Sequence, residues 1–166
     1  MSPSRVAVYP GSFDPITRGH EDIASRSLRL VDELVIAVAH TATQHKRGLF
    51  AVEERLELLN EVFANEPRVR CVAFQGLLVD FCRRENATLI IRGLRAVSDF
   101  DYELQLAQMN QELWGELETV FLAPDVRYSF VSASLVREVA RLGGDVSAFV
   151  SPPVLGRMQH ALKAEG

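Results

Sequence analysis

The stretch YPGSFDPITRGH, Tyr9 to His20, begins at the end of the short apolar run Val6–Tyr9. Its two prolines and two glycines predict a loop that joins a buried strand to a helix. A helical pattern follows from about His20 to Val31. The apolar face of that helix is formed by Ile23, Ala24, Leu28 and Val31. The stretch therefore predicts the first strand–loop–helix unit of an α/β fold, with His20 in the first turn of the helix.

The same alternation continues along the chain. Short apolar runs predict four further buried strands, at Leu34–Ala39, Val69–Phe74, Thr88–Ile91 and Val120–Ala123. Amphipathic patterns predict helices at about Val52–Phe63, Leu77–Arg84 and Asp99–Leu113, from Ser132 to Gly143-Gly144, and from Pro152 to about Leu162. Such alternation implies an α/β fold with a five-stranded parallel sheet and helices on both faces. The length of 166 residues predicts a single domain, 1–166.

Composition excludes several classes of protein. The net charge of −4 disfavours a general nucleic-acid binder, which usually carries a basic excess. The sequence has neither the long apolar stretch of a signal peptide nor the run of about 20 apolar residues of a membrane span. We therefore expect a cytoplasmic protein without nucleic-acid or membrane partners. Cys71 and Cys82 match no metal-ligand spacing, so both are expected to be packing residues.

Two loops that follow predicted strands carry candidate anion-binding residues. His20 lies at a helix start, where a neutral imidazole can donate to a phosphate; the alternative is a helix-capping turn with a solvated histidine. Arg92 and Arg95 follow the fourth strand, and guanidinium groups suit phosphate oxygens. Their alternative role is a surface network with the acidic residues of Asp99–Glu103.

Two further loops add hydroxyls and basic residues. Tyr128–Ser134 opens a helix that carries Arg137, and the alternative is simple N-capping by Ser132. His45-Lys46-Arg47 follows the second strand, and the alternative is a solvated basic loop. Because all four loops follow parallel strands, we expect them to converge on one edge of the sheet and to bind a ligand with several phosphates. No nucleophile signature or Walker loop is present, so we expect direct phosphoryl-type transfer.

The chain resembles the bacterial phosphopantetheine adenylyltransferases, within the nucleotidyltransferase superfamily named for a Gly-x-x-His motif. The resemblance covers nearly the whole chain. Its specific segments are YPGSFDPITRGH (Tyr9–His20), IRGLRAVSDFDYE (Ile91–Glu103), QLAQMN (Gln105–Asn110) and YSFVSAS (Tyr128–Ser134). It implies a Rossmann-like fold, a homohexamer, and feedback by coenzyme A. The implied reaction joins Mg²⁺-ATP and 4′-phosphopantetheine into 3′-dephospho-coenzyme A and pyrophosphate.

The resemblance also implies roles for individual residues. His20 is expected to stabilise the transition state. Ser12, Lys46, Leu78 and Arg92 are expected to bind the acceptor. The expected ATP-binding residues are Ser12, Phe13, His20, Gly93, Leu94, Arg95, Glu103, Tyr128, Ser129, Phe130, Val131, Ser132, Ala133 and Ser134. No protein ligand to the metal is expected, because Mg²⁺ commonly stays with phosphates and water.

Three departures from the family pattern stand out. The loop His40–Phe50 is longer, so Arg47 could take the role of Lys46. Ala51 occupies a helix N-cap position, which we expect to cost about 1 kcal/mol. Ala133 removes one hydroxyl from the serine run.

The competing functions are another adenylyl- or cytidylyltransferase with a different acceptor, a non-catalytic nucleotide-binding module, and a tRNA synthetase fragment.

Overall fold

The computed structural model describes residues 4–40, 48–95 and 97–165. Its strands are β1 (Val6–Gly11), β2 (Glu33–Ala39), β3 (Val69–Phe74), β4 (Leu89–Gly93) and β5 (Glu118–Leu122). Its helices are α1 (Arg18–Ser27), α2 (Val52–Val62), α3 (Leu78–Arg84), α4 (Val97–Leu113), α5 (Ala133–Arg141) and α6 (Pro152–Glu165), with a 3-10 helix at Val126–Tyr128. Within these ranges, no helix is long and apolar enough to cross a membrane.

The five strands are parallel and follow the order β3-β2-β1-β4-β5. Chain order reverses at β1, which has β2 on one side and β4 on the other. In an open parallel sheet, ligands bind at such a switch point, beyond the carboxyl ends of the strands. The predicted α/β, Rossmann-like fold with five parallel strands is confirmed, and it brings the loops after β1 and β4 together.

Helices cover both faces of this sheet because its central strands are apolar on both faces. In β1, Ala7 and Tyr9 pack into one core cluster, whereas Val8 packs into the other. The first cluster contains buried residues of α1, α2, α5 and α6, and the second contains those of α3. All four residues of the predicted α1 face are buried, although the helix ends at Ser27 and the last two lie in the following turns.

β1 extends two residues beyond its predicted end, through Pro10 to Gly11. Proline is unfavourable inside a sheet because it cannot donate to the ladder. Here Pro10 pairs with Ala37 of β2, while the registered pairs between β1 and β4 end at Val8. The Pro10 carbonyl instead accepts a hydrogen bond from Arg92 Nη1 at 2.8 Å. The strand thus continues past a proline because its unpaired side faces the functional site.

The start of α2 shows how the chain compensates for Ala51. Ala51 is the N-cap residue and makes no side-chain capping bond, as predicted. The Glu54 carboxylate accepts from the Ala51 backbone N–H at 2.8 Å. Just before it, the Asp14 carboxylate accepts from the N–H groups of Leu49 and Phe50, both at 2.9 Å. These carboxylates offset the missing hydroxyl.

Candidate active site

Two cavities meet at the end of β1. The first has a volume of about 410 Å³ and lies between the loop after β1, the start of α1, the end of β4 and the start of α5. Its lining consists of Tyr9, Pro10, Gly11, Ser12, Phe13, Thr17, Gly19, His20, Ile23, Arg92, Gly93, Arg95, Pro124, Tyr128, Val131, Ser132, Ala133, Ser134 and Arg137. No carboxylate is among these residues, so this cavity suits an anion.

The second cavity, of about 390 Å³, lies on the other side of the same loop. Its lining consists of Pro10, Gly11, Ser12, Ala39, Leu78, Ile90, Arg92, Tyr102, Glu103, Leu106, Ala107, Asn110 and Thr119. The two cavities share Pro10, Gly11, Ser12 and Arg92. The Ser12 hydroxyl has no hydrogen-bond partner among the described residues and is available to a ligand at this shared wall.

The loop after β1 takes its shape from tight packing around Phe13. Phe13 is buried and adopts a positive φ of 46°, a conformation that L-residues rarely occupy. A Cβ at Gly11 would lie 3.0 Å from the Phe13 ring, so any other residue there would have to push the ring aside by a few tenths of an ångström. The Phe13 ring in turn packs edge-on against the His20 ring, with centroids 5.0 Å apart.

A reciprocal capping box fixes the His20 ring at the start of α1. The Thr17 hydroxyl accepts from the His20 backbone N–H at 3.3 Å, and the Thr17 backbone N–H donates to His20 Nδ1 at 3.0 Å. Histidine thus occupies the place that Glu or Gln usually takes in this motif. Because Nδ1 accepts a hydrogen bond, the proton of the neutral ring resides on Nε2. His20 therefore presents an Nε2–H donor, and it caps the helix as well.

The surroundings of His20 keep its imidazole neutral. Removal from water lowers its pKa, and the positive charges of Arg95 and Arg92 lower it further, from 6.5 to about 4. A neutral histidine can donate a hydrogen bond to developing negative charge without first losing a proton. The arrangement suits stabilisation of an anion rather than proton transfer at neutral pH.

Arg92 and Arg95 differ in how they are held. Arg92 makes a bidentate pair with Glu103, with Nε to Oε2 at 2.9 Å and Nη2 to Oε1 at 2.6 Å. Arg95 is exposed and makes a single hydrogen bond of 3.2 Å to the Val131 carbonyl among the described residues. The predicted alternative of an arginine–acid pairing is thus confirmed for Arg92 with Glu103, and this pair is partly buried in the cavity wall.

Buried charged side chains hold the loop after β1 in place. Arg55 is 3% exposed; its Nη2 lies 3.6 Å from Asp14 Oδ2, and its Nη1 donates to the Ser12 carbonyl at 3.3 Å. Arg137 donates to the Asp14 carbonyl, and its Nε is buried with no partner in the described part of the chain. Two arginines against one carboxylate leave an excess positive charge beside the first cavity, which favours an anionic ligand.

Most predicted site residues come together, in two groups. Of the predicted ATP-binding residues, Ser12, Phe13, His20, Gly93, Arg95, Tyr128 and Val131 to Ser134 line the first cavity. Leu94, Ser129 and Phe130 do not line it, and Glu103 lines the second cavity. The predicted acceptor residues Ser12, Leu78 and Arg92 all line the second cavity. Lys46 and Arg47 lie outside the described residues.

The serine cluster is partly occupied by local structure. The Ser132 hydroxyl accepts from the Leu135 N–H at 3.1 Å, which confirms its alternative role as the N-cap of α5. Ser129 donates to the Val126 carbonyl at 3.0 Å. Ala133 lines the first cavity, so the residue without a hydroxyl still contributes its backbone there.

Several lining residues were not predicted from the sequence. Thr17 lines the first cavity, and Tyr102 and Asn110 line the second. Asn110 is 7% exposed, and its side chain has no hydrogen-bond partner among the described residues. A signal did exist for this residue: Asn110 lies seven positions after Glu103, so both occupy the same face of α4.

Two further expectations concern motif and metal. The Gly-x-x-His spacing itself is not present at His20, because the three preceding residues are Thr17-Arg18-Gly19, and Thr17 is the N-cap of α1. Among the described residues, no group of three or more His, Cys, Asp or Glu is placed to hold a metal ion. A metal in the first cavity would have to arrive with its own ligands.

Known proteins share this sequence over nearly its whole length. A profile of the cytidylyltransferase-like family matches residues 8–139. The phosphopantetheine adenylyltransferase of Azoarcus sp. strain BH72 is 52% identical over 160 residues, covering 96% of this chain and 97% of that protein. The enzyme of the same name from Alkalilimnicola ehrlichii is 57% identical over 152 residues, covering 92% of this chain and 87% of that protein.

A solved structure shares the fold at much lower identity. A protein of Vibrio parahaemolyticus assigned as a nicotinate-nucleotide adenylyltransferase aligns with a TM-score of 0.71 at 15% sequence identity. The alignment covers 98% of this chain and 97% of that one. At this identity the likeness concerns the fold alone.

Proposed function

Because this chain belongs to the cytidylyltransferase-like family and, within it, to the phosphopantetheine adenylyltransferases, we propose that its two cavities hold ATP and 4′-phosphopantetheine on either side of the loop after β1. The enzyme transfers the adenylyl group of ATP to 4′-phosphopantetheine, a step of coenzyme A biosynthesis. The products are 3′-dephospho-coenzyme A and pyrophosphate.

The shared wall between the cavities is the observation that carries this proposal. Adenylyl transfer needs the acceptor phosphate and the ATP α-phosphate to come within bonding distance despite their mutual repulsion. Ser12 and Arg92 line both cavities, so a hydroxyl and a guanidinium stand where the two phosphates would meet. Enzymes of this type act mainly by positioning and by stabilising charge.

The reaction is a direct displacement at the α-phosphorus. A phosphate oxygen of phosphopantetheine attacks this atom and forms the new P–O–P bond. The bond from the α-phosphorus to the oxygen bridging to the β-phosphate breaks, and pyrophosphate leaves with that electron pair. No protein nucleophile is needed, in agreement with the absence of a nucleophile signature from the sequence.

His20 is proposed to act on the α-phosphate side. Its Nε2–H is the free donor of a neutral ring held by Thr17, and the ring lines the first cavity. A donor placed where charge develops stabilises the transition state more than the ground state. Arg95 and the N-terminus of α5 line the same cavity and are proposed to bind the triphosphate.

The second cavity is proposed to bind the pantetheine arm. Leu78, Ile90, Leu106 and Ala107 provide apolar walls that suit the aliphatic parts of that arm. Arg92 is proposed to bind its phosphate. Lys46 is proposed to add a second cation from the loop after β2, with Arg47 as the alternative. Coenzyme A contains both halves of the product, so we propose it as a feedback ligand of the same cavities.

Mg²⁺ is proposed to enter with ATP. The first cavity has cations, hydroxyls and backbone N–H groups in its lining but no carboxylate, so it does not provide the oxygen ligands of a dedicated magnesium site. This donor set fits an ion held by phosphate oxygens and water, which Mg²⁺ commonly retains. When bound, the ion neutralises part of the phosphate charge.

We also propose a cytoplasmic location.

A homohexamer is proposed from the apolar surface of α4. Tyr102, Met109 and Leu113 are 66%, 60% and 47% exposed, and their spacing of seven and four residues places them on one face. An exposed apolar stripe of this kind commonly packs against another helix. Two other apolar side chains at or near α4 make contacts within the chain. Leu106 lines the second cavity, and Trp114 packs against the core and stacks with Arg83.

An acceptor panel tests the proposed function. Pyrophosphate release from ATP is measured with 4′-phosphopantetheine, nicotinate mononucleotide and nicotinamide mononucleotide, and with no acceptor. We expect release only with 4′-phosphopantetheine, and a product with the mass of 3′-dephospho-coenzyme A. Preference for a mononucleotide would instead make the chain an adenylyltransferase of different specificity, and ATP binding without release would make it a binding module.

A further inference from the structure

We propose that Asp22 and Arg26 of α1 are positioning residues for ATP. They hold the loop after β5 against α1, and this loop carries Pro124 into the wall of the first cavity. The inference rests on the proposed function, because it takes the first cavity as the ATP site. Neither Asp22 nor Arg26 lines either cavity, so both act through Pro124.

A short chain of hydrogen bonds joins Asp22 and Arg26 to both sides of Pro124. Arg26 Nη1 donates to the Ala123 carbonyl at 2.7 Å and to Asp22 Oδ2 at 3.0 Å. The same Asp22 oxygen accepts from the Asp125 backbone N–H at 3.2 Å. The residue before Pro124 and the residue after it are thus both bound to side chains of α1.

The anchored segment also begins the 3-10 helix that follows. β5 ends at Leu122, and Pro124 has no N–H with which to continue a ladder. The Asp125 carboxylate accepts from the Arg127 N–H at 2.9 Å, and the Asp125 carbonyl accepts from the Tyr128 N–H at 2.9 Å. Tyr128 lines the first cavity, so the position of Asp125 fixes a second part of its wall.

Pro124 belongs to an uncharged side of the first cavity, which it forms together with Ile23 and Gly93. A Cβ at Gly93 would lie 3.3 Å from the Ile23 side chain, so these two residues are closely packed. An anion is favoured at the start of α1, whereas Pro124 is held beside the second and third turns of that helix. An uncharged surface there suits the base of ATP rather than its phosphates.

The hydrogen bonds from α1 order this wall before ATP arrives. Without them, binding of the base would itself have to fix the backbone around Pro124. Each residue ordered in this way lowers the affinity by about tenfold. The triphosphate would not share this loss, because its binding groups belong to other elements.

Arg26→Met is the sharpest perturbation, because it removes the bond to the Ala123 carbonyl and keeps most of the side-chain volume. We expect the Kd for ATP, measured by calorimetry, to rise about tenfold. The Kd for tripolyphosphate, which has no base, should stay within about threefold of wild type, since Arg95 and the N-terminus of α5 still bind it. The KM for 4′-phosphopantetheine should also stay within this range.

Arg18→Met is the matched control. It breaks the Arg18–Glu21 pair of the same helix at 3.2 Å, whose side chains are 37% and 19% exposed, against 34% and 17% for Arg26 and Asp22. Arg18 lines neither cavity, so this variant should leave the Kd for ATP unchanged.

Two further variants test whether the hydrogen bonds or the charge matter. Arg26→Lys keeps the charge and a donor, and should recover part of the lost affinity for ATP. The double variant Asp22→Ala/Arg26→Met leaves the net charge unchanged. If both residues act through one segment, its loss should be close to that of Arg26→Met and well below the product of the two single losses.

Hydrogen exchange reports the anchoring itself. The Asp125 amide donates to Asp22, so it should lose protection in Arg26→Met and regain protection when ATP is added. A merely structural role would give lost protection without recovery on ATP binding.

The outcomes separate this inference from the proposed function. An unchanged Kd for ATP in Arg26→Met, or equal losses for ATP and tripolyphosphate, would overturn the inference. So would an equal loss of ATP affinity in Arg18→Met. If wild-type protein binds ATP but shows no turnover with 4′-phosphopantetheine, the proposed function fails, and the titrations with ATP and tripolyphosphate still test the role of Asp22 and Arg26.

Discussion

Replacement of His20 by alanine removes a donor that the fold holds in one tautomer. The Thr17 N–H occupies Nδ1, so the ring proton resides on Nε2 in the first cavity. Alanine cannot make this bond, and the N-terminus of α1 also loses half of its capping box. The substitution should therefore reduce both the rate of the chemical step and, separately, the stability of the chain.

The two losses differ in size. Removal of one preorganised donor to transition-state charge lowers kcat by about 10²- to 10³-fold. The loss of a helix cap costs about 1 kcal/mol in free energy of unfolding. ATP binding should weaken by no more than about threefold, because Arg95 and the N-terminus of α5 still line the cavity.

Steady-state pyrophosphate release, calorimetric titration with ATP and chemical denaturation measure these three quantities. Thr17→Ala is the matched control, since it removes a partner of the same cap and keeps the imidazole. It should lower stability by a similar amount and kcat by less than about tenfold. A loss of kcat under about threefold in His20→Ala would remove His20 from the mechanism.

The protonation state of His20 gives an independent check. Its pKa is lowered from 6.5 to about 4, by burial first and by Arg95 and Arg92 second. The unfolded chain therefore binds more protons between about pH 6.5 and 4, and this group makes the folded chain less stable as the pH falls through that window. Nitrogen-15 NMR should show a neutral Nε2–H tautomer at pH 6, while the exposed His160 serves as control. A titration of His20 near 6.5 would contradict the reasoning.

Three further predictions follow from the charges and the exposed helix face. Arg55→Met breaks a buried ion pair and should lower the free energy of unfolding by about 3–5 kcal/mol in chemical denaturation. Arg157→Met breaks a surface pair and should lower it by at most about 1 kcal/mol. Similar losses in the two variants would contradict a stabilising role for the buried pair. Lys46→Ala should raise the KM for phosphopantetheine and leave the Kd for ATP within about threefold of wild type. Arg95→Ala should instead weaken ATP binding, by about ten- to a hundredfold in calorimetry. The reverse pattern would assign Lys46 to ATP and Arg95 to the acceptor. Met109→Glu places a charge in the exposed α4 stripe and should yield smaller species in light scattering than the wild-type protein, for which a hexamer is proposed. An unchanged mass would exclude this stripe as the interface.

Local patterns predicted the strands well, because β1 and β2 are apolar on both faces and bounded by polar turns. The end of β1 was predicted two residues early, since a proline in a strand is normally a terminator. Only the sheet order shows that Pro10 lies beyond the β1–β4 pairs. In α2, Leu58 is almost fully buried whereas Leu56 is only partly buried, a difference that depends on how the helix is rotated against the sheet.

The site was predictable as a convergence of loops but not as a set of contacts. Parallel strands bring their carboxyl ends together, so the meeting of His20, Arg92 and Arg95 followed from the fold class. The pairing of Arg92 with Glu103 did not, because it joins two elements through side-chain geometry. The division into two cavities likewise depends on where the loop carrying Ser12 stands between them, which no periodicity encodes.

The fate of the α-phosphorus of ATP tests the central claim most directly. Wild-type protein is incubated with ATP labelled at this atom, 4′-phosphopantetheine and Mg²⁺, and the label is located after denaturation. We predict that the label appears in 3′-dephospho-coenzyme A and that one pyrophosphate is released per labelled product. No label should remain bound to the protein. Label retained on the denatured protein, or released only as AMP, would contradict direct transfer between the two cavities.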